Sequence, residues 1–244
     1  MKQTTLTVTE NTRLADGIYR LRLAGDTSAI TAPGQFVNLK LSGFFLRRPI
    51  SVCDWENGEV TLIYKVLGHG TEAMTGMAPG TVLDVLTGLG NGFDLSRSGE
   101  HPLLAGGGVG IPPLYGLARR LTAQGKRVTA VLGFNRKSEI FLAEEFRALG
   151  AEVVIATADG SVGLKGLVTD GMAAVSDYTY LYTCGPEPML KAVYADCKTS
   201  GQFSFEERMG CGFGACMGCS CETKYGNKRI CKDGPVLEKE EIVW

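Results

Sequence analysis

Leu103-Leu-Ala-Gly-Gly-Gly-Val-Gly-Ile-Pro-Pro113 decides how the middle of this chain folds. Its first residues read as a buried strand. Pro112 and Pro113 then suit the first turn of a helix, where a missing N–H costs nothing and a fixed φ is already helical. A strand, a glycine turn and a helix start gather several backbone N–H groups and the positive end of a helix dipole at one point. A pyrophosphate could sit there. The match to G-x-G-x-x-G is partial, because Gly110 is followed by Ile111 and the third glycine is missing. Gly106, Gly107, Gly108 and Gly110 are the candidate nucleotide contacts; a plain tight turn is the alternative.

Working outward, the same alternation continues downstream. Pro102–Ala105, Val128–Leu132, Val153–Thr157 and Thr179–Thr183 read as buried strands, and Pro112–Gln124, Ser138–Ala148, Leu164–Val175 and Glu187–Lys198 as helices. Strand and helix in regular alternation are the signature of a parallel sheet with helices on its faces. Thr183-Cys184-Gly185-Pro186-Glu187-Pro188 follows the last of these strands. Ligands of open α/β sheets bind outside the carboxyl ends of the strands, which sets Cys184, Gly185 and Pro186 at the same edge as the glycine turn. A small buried thiol is the plainer reading of Cys184. The loop Gly133-Phe-Asn-Arg-Lys137 shows no obvious ribose-binding acid, and Arg136 or Lys137 could meet a 2′-phosphate.

Upstream, residues 1–97 read differently. Thr5–Thr9, Ile18–Leu23, Phe36–Leu41, Ile50–Asp54, Val60–Val66 and Thr81–Leu86 are short segments rich in β-branched and aromatic residues. Pro33-Gly34, Asn57-Gly58 and Pro79-Gly80 supply turns, and one short helix is expected near Thr71–Met77. Many short strands at this spacing point to a small barrel. Within it, Arg47-Arg-Pro-Ile-Ser51 can offer a forked cation and a hydroxyl to a phosphate through Arg48 and Ser51. A solvated arginine at a strand end is the alternative.

Five of the eight cysteines fall between Cys211 and Cys231. Cys211, Cys216, Cys219 and Cys231 give the spacing C-x4-C-x2-C…C, whose opening is that of plant-type [2Fe–2S] proteins. A glycine-rich loop lets backbone wrap a cluster and aim N–H groups at its sulfurs. A four-thiolate zinc site is the competing reading, although such sites usually present two C-x2-C pairs. Cys221 breaks the spacing and stays out of the set. His69 and His101, the two histidines, lie outside the cysteine loop, which argues against a Rieske centre.

Composition narrows the classes. The 244 residues are 44% hydrophobic and 21% charged, with net charge −1, so neither nucleic acid nor an anionic membrane is indicated. The most apolar stretch, Leu103–Leu117, carries five glycines and two prolines and cannot span a bilayer as a helix. The N-terminus lacks the apolar core of a signal peptide, and the expectation is a cytoplasmic protein.

Taken in order, these segments resemble the ferredoxin–NAD(P) reductase superfamily over essentially the whole chain. They are most similar to its members ending in a [2Fe–2S] domain, the electron-transfer subunits of class B dihydroorotate dehydrogenases. The resemblance implies an antiparallel FAD-binding barrel over residues 1–97, a parallel-sheet NAD-binding domain over 98–201 and a cluster domain over 202–244. It implies that Arg48, Pro49, Ile50, Ser51, Ile63, Tyr64, Lys65, Gly70 and Thr71 contact FAD. Gly106, Gly107, Gly108, Gly110, Gly185 and Pro186 would contact NAD, with Cys184 beside the nicotinamide as the catalytic residue. Cys211, Cys216, Cys219 and Cys231 would hold the cluster. It also implies an FMN-containing dihydroorotate dehydrogenase catalytic subunit as partner, in a heterotetramer of two of each, serving pyrimidine biosynthesis. Trp244 departs from a terminal aromatic that covers the flavin, because the cluster segment intervenes. Two alternatives stand beside this reading. One is a small flavin/iron–sulfur subunit of another NAD(P)-linked complex: a ferredoxin:NADP reductase, a sulfide dehydrogenase or a hydrogenase. The other is a zinc-stabilised nucleotide-binding module without catalysis.

Overall fold

The computed structural model describes all 244 residues. Six strands open the chain: β1 (Lys2–Ala15), β2 (Ile18–Gly25), β3 (Phe36–Leu39), β4 (Arg48–Glu56), β5 (Glu59–Lys65) and, after the short helix α1 (His69–Thr75), β6 (Val82–Leu89). They close into an antiparallel barrel in the order β1-β2-β5-β4-β3-β6. The β4–β5 hairpin turns on Asn57 and Gly58, both at positive φ (51° and 78°), the backbone of the tight turn that matches strand twist. Alternate side chains point inward, so Leu6, Leu21, Leu23, Val37, Leu39, Leu62 and Val85 fill the barrel.

From β7 (Pro102–Gly107) the chain alternates: α2 (Ile111–Ala123), β8 (Thr129–Phe134), α3 (Ala143–Ala148), β9 (Glu152–Thr157), β10 (Leu164–Lys165), α4 (Val168–Ala173), β11 (Tyr180–Cys184), α5 (Glu187–Asp196) and β12 (Gly201–Ser204). The final segment adds a hairpin, β13 (Ser220–Thr223) and β14 (Gly226–Arg229), then β15 (Val236–Glu238). The sheet runs β10-β9-β8-β7-β11-β12-β15, parallel except for β15. Between β7 and β11 the strand order reverses direction, and that is where an open sheet leaves a crevice for a ligand.

Two helices are shorter than their patterns suggest. The helix expected over Ser138–Ala148 begins only at Ala143, because Leu142 takes a left-handed backbone (φ 62°). In the stretch Leu164–Val175, Leu164 and Lys165 instead pair with Ala156 and Thr157 of β9, and the helix covers Val168–Ala173.

The cysteine-bearing C-terminal domain packs closely on the sheet and the barrel. β12 spans the 201/202 border drawn from the sequence, and β15 returns to the sheet beside it. Cys219, Ile230 and Cys231 share a core with Phe203, Leu237 and the barrel's Phe36. A second core joins Ile18, Cys53 and Ile63 of the barrel to Leu104, Leu114, Leu117 and Leu121. Each leucine fully buried there contributes about 1.5–3 kcal/mol. Helix α2 presses against β4, where a Cβ on Gly116 would lie 2.5 Å from the Cys53 carbonyl oxygen. Arg119 pairs with Asp54 at 3.0 Å, and the Arg120 guanidinium lies 3.6 Å over the Trp55 ring. Barrel and sheet are thus fastened by both packing and charge.

Candidate functional site

Three groups of residues chosen from the sequence meet at the seam between barrel, sheet and cysteine loop. A cavity of about 270 Å³ lies there. Pro49, Ile50, Ser51, Ile63, Tyr64, Lys65 and Thr71 line it from the barrel side, and Val109 and Cys184 from the sheet. Its size suits the ring portion of a dinucleotide cofactor. Arg48 stands outside the lining. Its guanidinium turns to the start of α1, and a Cβ on Gly70 would fall 2.1 Å from Arg48 Nε. It also lies 4.8 Å over the Phe44 ring and donates to the Leu46 carbonyl at 2.6 Å. Arg48, Gly70 and Thr71 therefore gather at one point beside the cavity, where phosphates could be held. Tyr64 contributes less than its place in the motif suggests, since its ring packs inside the barrel and its hydroxyl donates to Asn11 Oδ1 at 3.3 Å.

The glycine turn and the Cys184 segment touch. Cys184 pairs with Gly106 across the β11–β7 ladder, and a Cβ on Gly110 would lie 2.3 Å from the Cys184 carbonyl oxygen. Gly107 and Gly185 both abut Met189 of α5. Gly106 and Gly107 end β7, Gly108 and Gly110 turn into α2, and Gly185 and Pro186 lead from β11 into α5, so all six lie at the crevice mouth. Cys184 is 3% exposed. Burial, reinforced by the charge of Glu206 and opposed by a hydrogen bond with Ser204, pushes its thiol up to about 12. It stays neutral at physiological pH, which suits a shaping and orienting group, not a nucleophile. Arg136 is held by Glu139 at 2.9 Å, and Asn135 donates to the same carboxylate at 2.8 Å. Of the two cations suggested for a 2′-phosphate, Arg136 is already paired.

The third group is the cysteine loop. Burial would raise the Cys211 thiol, but N–H groups of Phe213, Cys216 and Ala215 aim at its sulfur and bring it down to about 6. Cys211 and Cys216 lie together, with the Cys211 N–H 3.4 Å from Cys216 Sγ. Cys219 and Cys231 form a second pair, the Cys231 N–H 3.4 Å from Cys219 Sγ. Burial and the neighbouring Cys219 raise the Cys231 thiol to about 12, and metal binding there would displace its proton. The four thiols, with backbone donors converging on them, fit the demand of a two-iron cluster for four thiolates.

Several lining residues were not singled out in the sequence. Phe36, Ser204, Phe205, Glu206, Glu207, Met209 and Pro235 also wall the cavity. Ser204 is placed by its pairing with Cys184, a register no local pattern reveals. Glu206 opens to solvent at the cavity mouth, yet protein surrounds its other sides and desolvation pushes its carboxyl above the ordinary value. Trp244 packs on Phe205 at 5.4 Å and on Tyr194 at 5.4 Å, buttressing the wall from behind.

The family described as the iron-sulfur cluster binding domain of dihydroorotate dehydrogenase B matches residues 206–243, and the oxidoreductase NAD-binding domain matches residues 104–195. A dihydroorotate dehydrogenase B (NAD(+)) electron transfer subunit from Shouchella clausii is 45% identical, covering 99% of this chain and 98% of that protein. Its counterpart from a Geobacillus species is 46% identical over 100% and 99%. Among solved structures, one of an NADH-dependent reduced ferredoxin-NADP oxidoreductase superposes with a TM-score of 0.89 at 28% identity, over 98% of this chain and 90% of that one. A ferredoxin NADP+ reductase from Neisseria gonorrhoeae with bound FAD and NADP shares the fold, with a TM-score of 0.70 at 17% identity over 80% and 90%. No helix is long and apolar enough to cross a membrane.

Proposed function

The chain belongs to the family of dihydroorotate dehydrogenase B electron-transfer subunits, and from that premise we propose that it carries electrons from a dihydroorotate-oxidising, FMN-containing catalytic subunit to NAD+, as a step of pyrimidine biosynthesis. Two copies of each subunit would form the complex. FAD supplies the exchange between single electrons and a hydride, which an iron–sulfur centre alone cannot perform.

The chain's own residues divide that work. Arg48, with Gly70 and Thr71, would hold the FAD phosphates, while Pro49, Ile50, Ser51, Ile63 and Lys65 frame its ring in the cavity. Gly106, Gly107, Gly108 and Gly110 would receive the pyrophosphate of NAD, with Gly185 and Pro186 across the crevice. Cys184, neutral and buried between these two sites, would set the face on which the nicotinamide lies. Cys211 and Cys216 would take one iron, and Cys219 and Cys231 the other. Exposed Cys216, Phe213 and Met217 turn the cysteine loop outward, which suits transfer to a docked subunit.

The observation that carries the reading is the double role of Phe205–Met209. It walls the cavity and leads directly into Cys211, so flavin and cluster would be near neighbours. The reductase-like alternative rests on the fold shared with the ferredoxin-NADP oxidoreductase, but the whole-length relatives at 45% and 46% identity favour dihydroorotate. Co-expression with the neighbouring catalytic subunit, cofactor analysis and a dihydroorotate:NAD+ assay test it. A complex with FAD and iron that reduces NAD+ from another donor and never from dihydroorotate refutes the assignment.

A further inference from the structure

Asn38 lies on β3, opposite Pro49 of β4, the strand that lines the cavity. Its side chain is not turned into the barrel, whose interior takes the neighbouring Val37 and Leu39. It is 1% exposed and reaches the cysteine loop, donating from Nδ2 to the Cys211 carbonyl at 3.3 Å, across 173 residues of sequence. The opposite amide orientation would set two oxygens against each other, so the donor assignment follows from the contact. The loop seats itself on this amide. A Cβ on Gly212 would lie 2.3 Å from Asn38 Nδ2, and Gly212 holds φ at 76°. Meanwhile Asn38 Oδ1 is the one buried side-chain polar atom in the molecule without a hydrogen-bond partner.

A half-satisfied buried amide is costly, and a leucine of similar size would fill the place without that cost. Hydrophobic surroundings do not explain the residue; the bond to the loop does. We propose that Asn38 is a positioning residue for the iron–sulfur centre, the side chain through which the flavin-binding barrel holds the backbone of the first cluster ligand. Strand β3 then links the cavity wall at Pro49 to the ligand at Cys211 by one ladder step and one side chain. This inference rests on Cys211 being a cluster ligand, as proposed above.

Asn38→Leu in the full chain, carrying FAD and cluster, tests it. Expected are parental FAD content and a parental rate of FAD reduction by NADH. Iron should be lost to a chelator about 10-fold faster, the usual scale for losing a partner of a metal ligand, and the paramagnetic spectrum of the reduced cluster should shift. Asn38→Asp, which keeps size and acceptor but loses the donor, should move both readouts the same way. Parental iron release and spectrum in both variants overturn the proposal. So does loss of FAD together with iron in both, which makes Asn38 a general support of the fold. Cys211→Ser separates the premise: if it retains full iron and sulfide, the ligand assignment itself has failed, whatever the Asn38 variants do.

Discussion

Replacing Gly110 by alanine tests the contact that brings the two nucleotide segments together. The new Cβ would lie 2.3 Å from the Cys184 carbonyl oxygen, 2.5 Å from its carbon and 2.6 Å from Gly185 Cα. Ordinary contact begins near 3.4 Å, so the turn must withdraw by about 1 Å, and every atom it meets is backbone that cannot rotate aside. Overpacking of this kind costs about 1–3 kcal/mol. A displacement of about 1 Å at a hydride-transfer site costs on the order of 100-fold in rate. The assay is anaerobic stopped-flow reduction of bound FAD by NADH, with iron and flavin content measured beside it. Gly110→Ala should keep both cofactors, because the barrel and cysteine loop are untouched, yet reduce FAD about 100-fold more slowly. Gly125→Ala, past the far end of α2, is the control: its Cβ meets nothing within 4 Å, and only its backbone at φ 78° is strained, at about 1 kcal/mol. If Gly110→Ala reduces FAD at the parental rate, or if Gly125→Ala is equally slow, the close approach of turn and strand is not what shapes the site.

Cys184→Ala should slow hydride transfer about 10-fold, equivalent to about 1.4 kcal/mol, with FAD and cluster absorbance intact; unchanged NADH oxidation removes its orienting role. Cys216→Ser should abolish the cluster while flavin remains, read as iron and acid-labile sulfide per chain, and full content means another ligand set. Arg48→Ala should weaken FAD retention by about 10–100-fold, the loss of a charge-assisted phosphate contact of about 1.5–3 kcal/mol; parental retention on gel filtration contradicts it. In metal-free protein, Cys211, lowered to about 6, should alkylate at pH 7, whereas Cys184, raised to about 12, should not. The thiolate preference of Cys211 stabilises the folded metal-free loop above the ordinary thiol range, and that gain is lost as pH falls through about 6. Mass spectrometry of peptides labelled from pH 5 to 9 shows whether the order is reversed.

What the sequence determined by itself was local in origin. Short β-branched and aromatic segments broken by turns in residues 1–97, strand–helix alternation after Pro102, and cysteines spaced to share one loop are each set within a few turns of backbone. Barrel, parallel sheet and thiolate centre were legible for that reason. Helix ends were less so: Leu142 leaves the helical region and Leu164–Lys165 joins β9, because tertiary pairing outweighed weak propensities. Only the tertiary structure decided which residues wall the cavity. Phe36 comes from β3, Cys184 from β11 and Phe205–Met209 from the lead-in to the cysteines, joined by the Cys184–Ser204 register. The bond from Asn38 to Cys211 spans 173 residues, and the orphaned oxygen beside it is defined by burial alone. Spacing along a chain fixes what neighbours can do together; closing the chain on itself fixes which distant groups lose their water and must answer to one another.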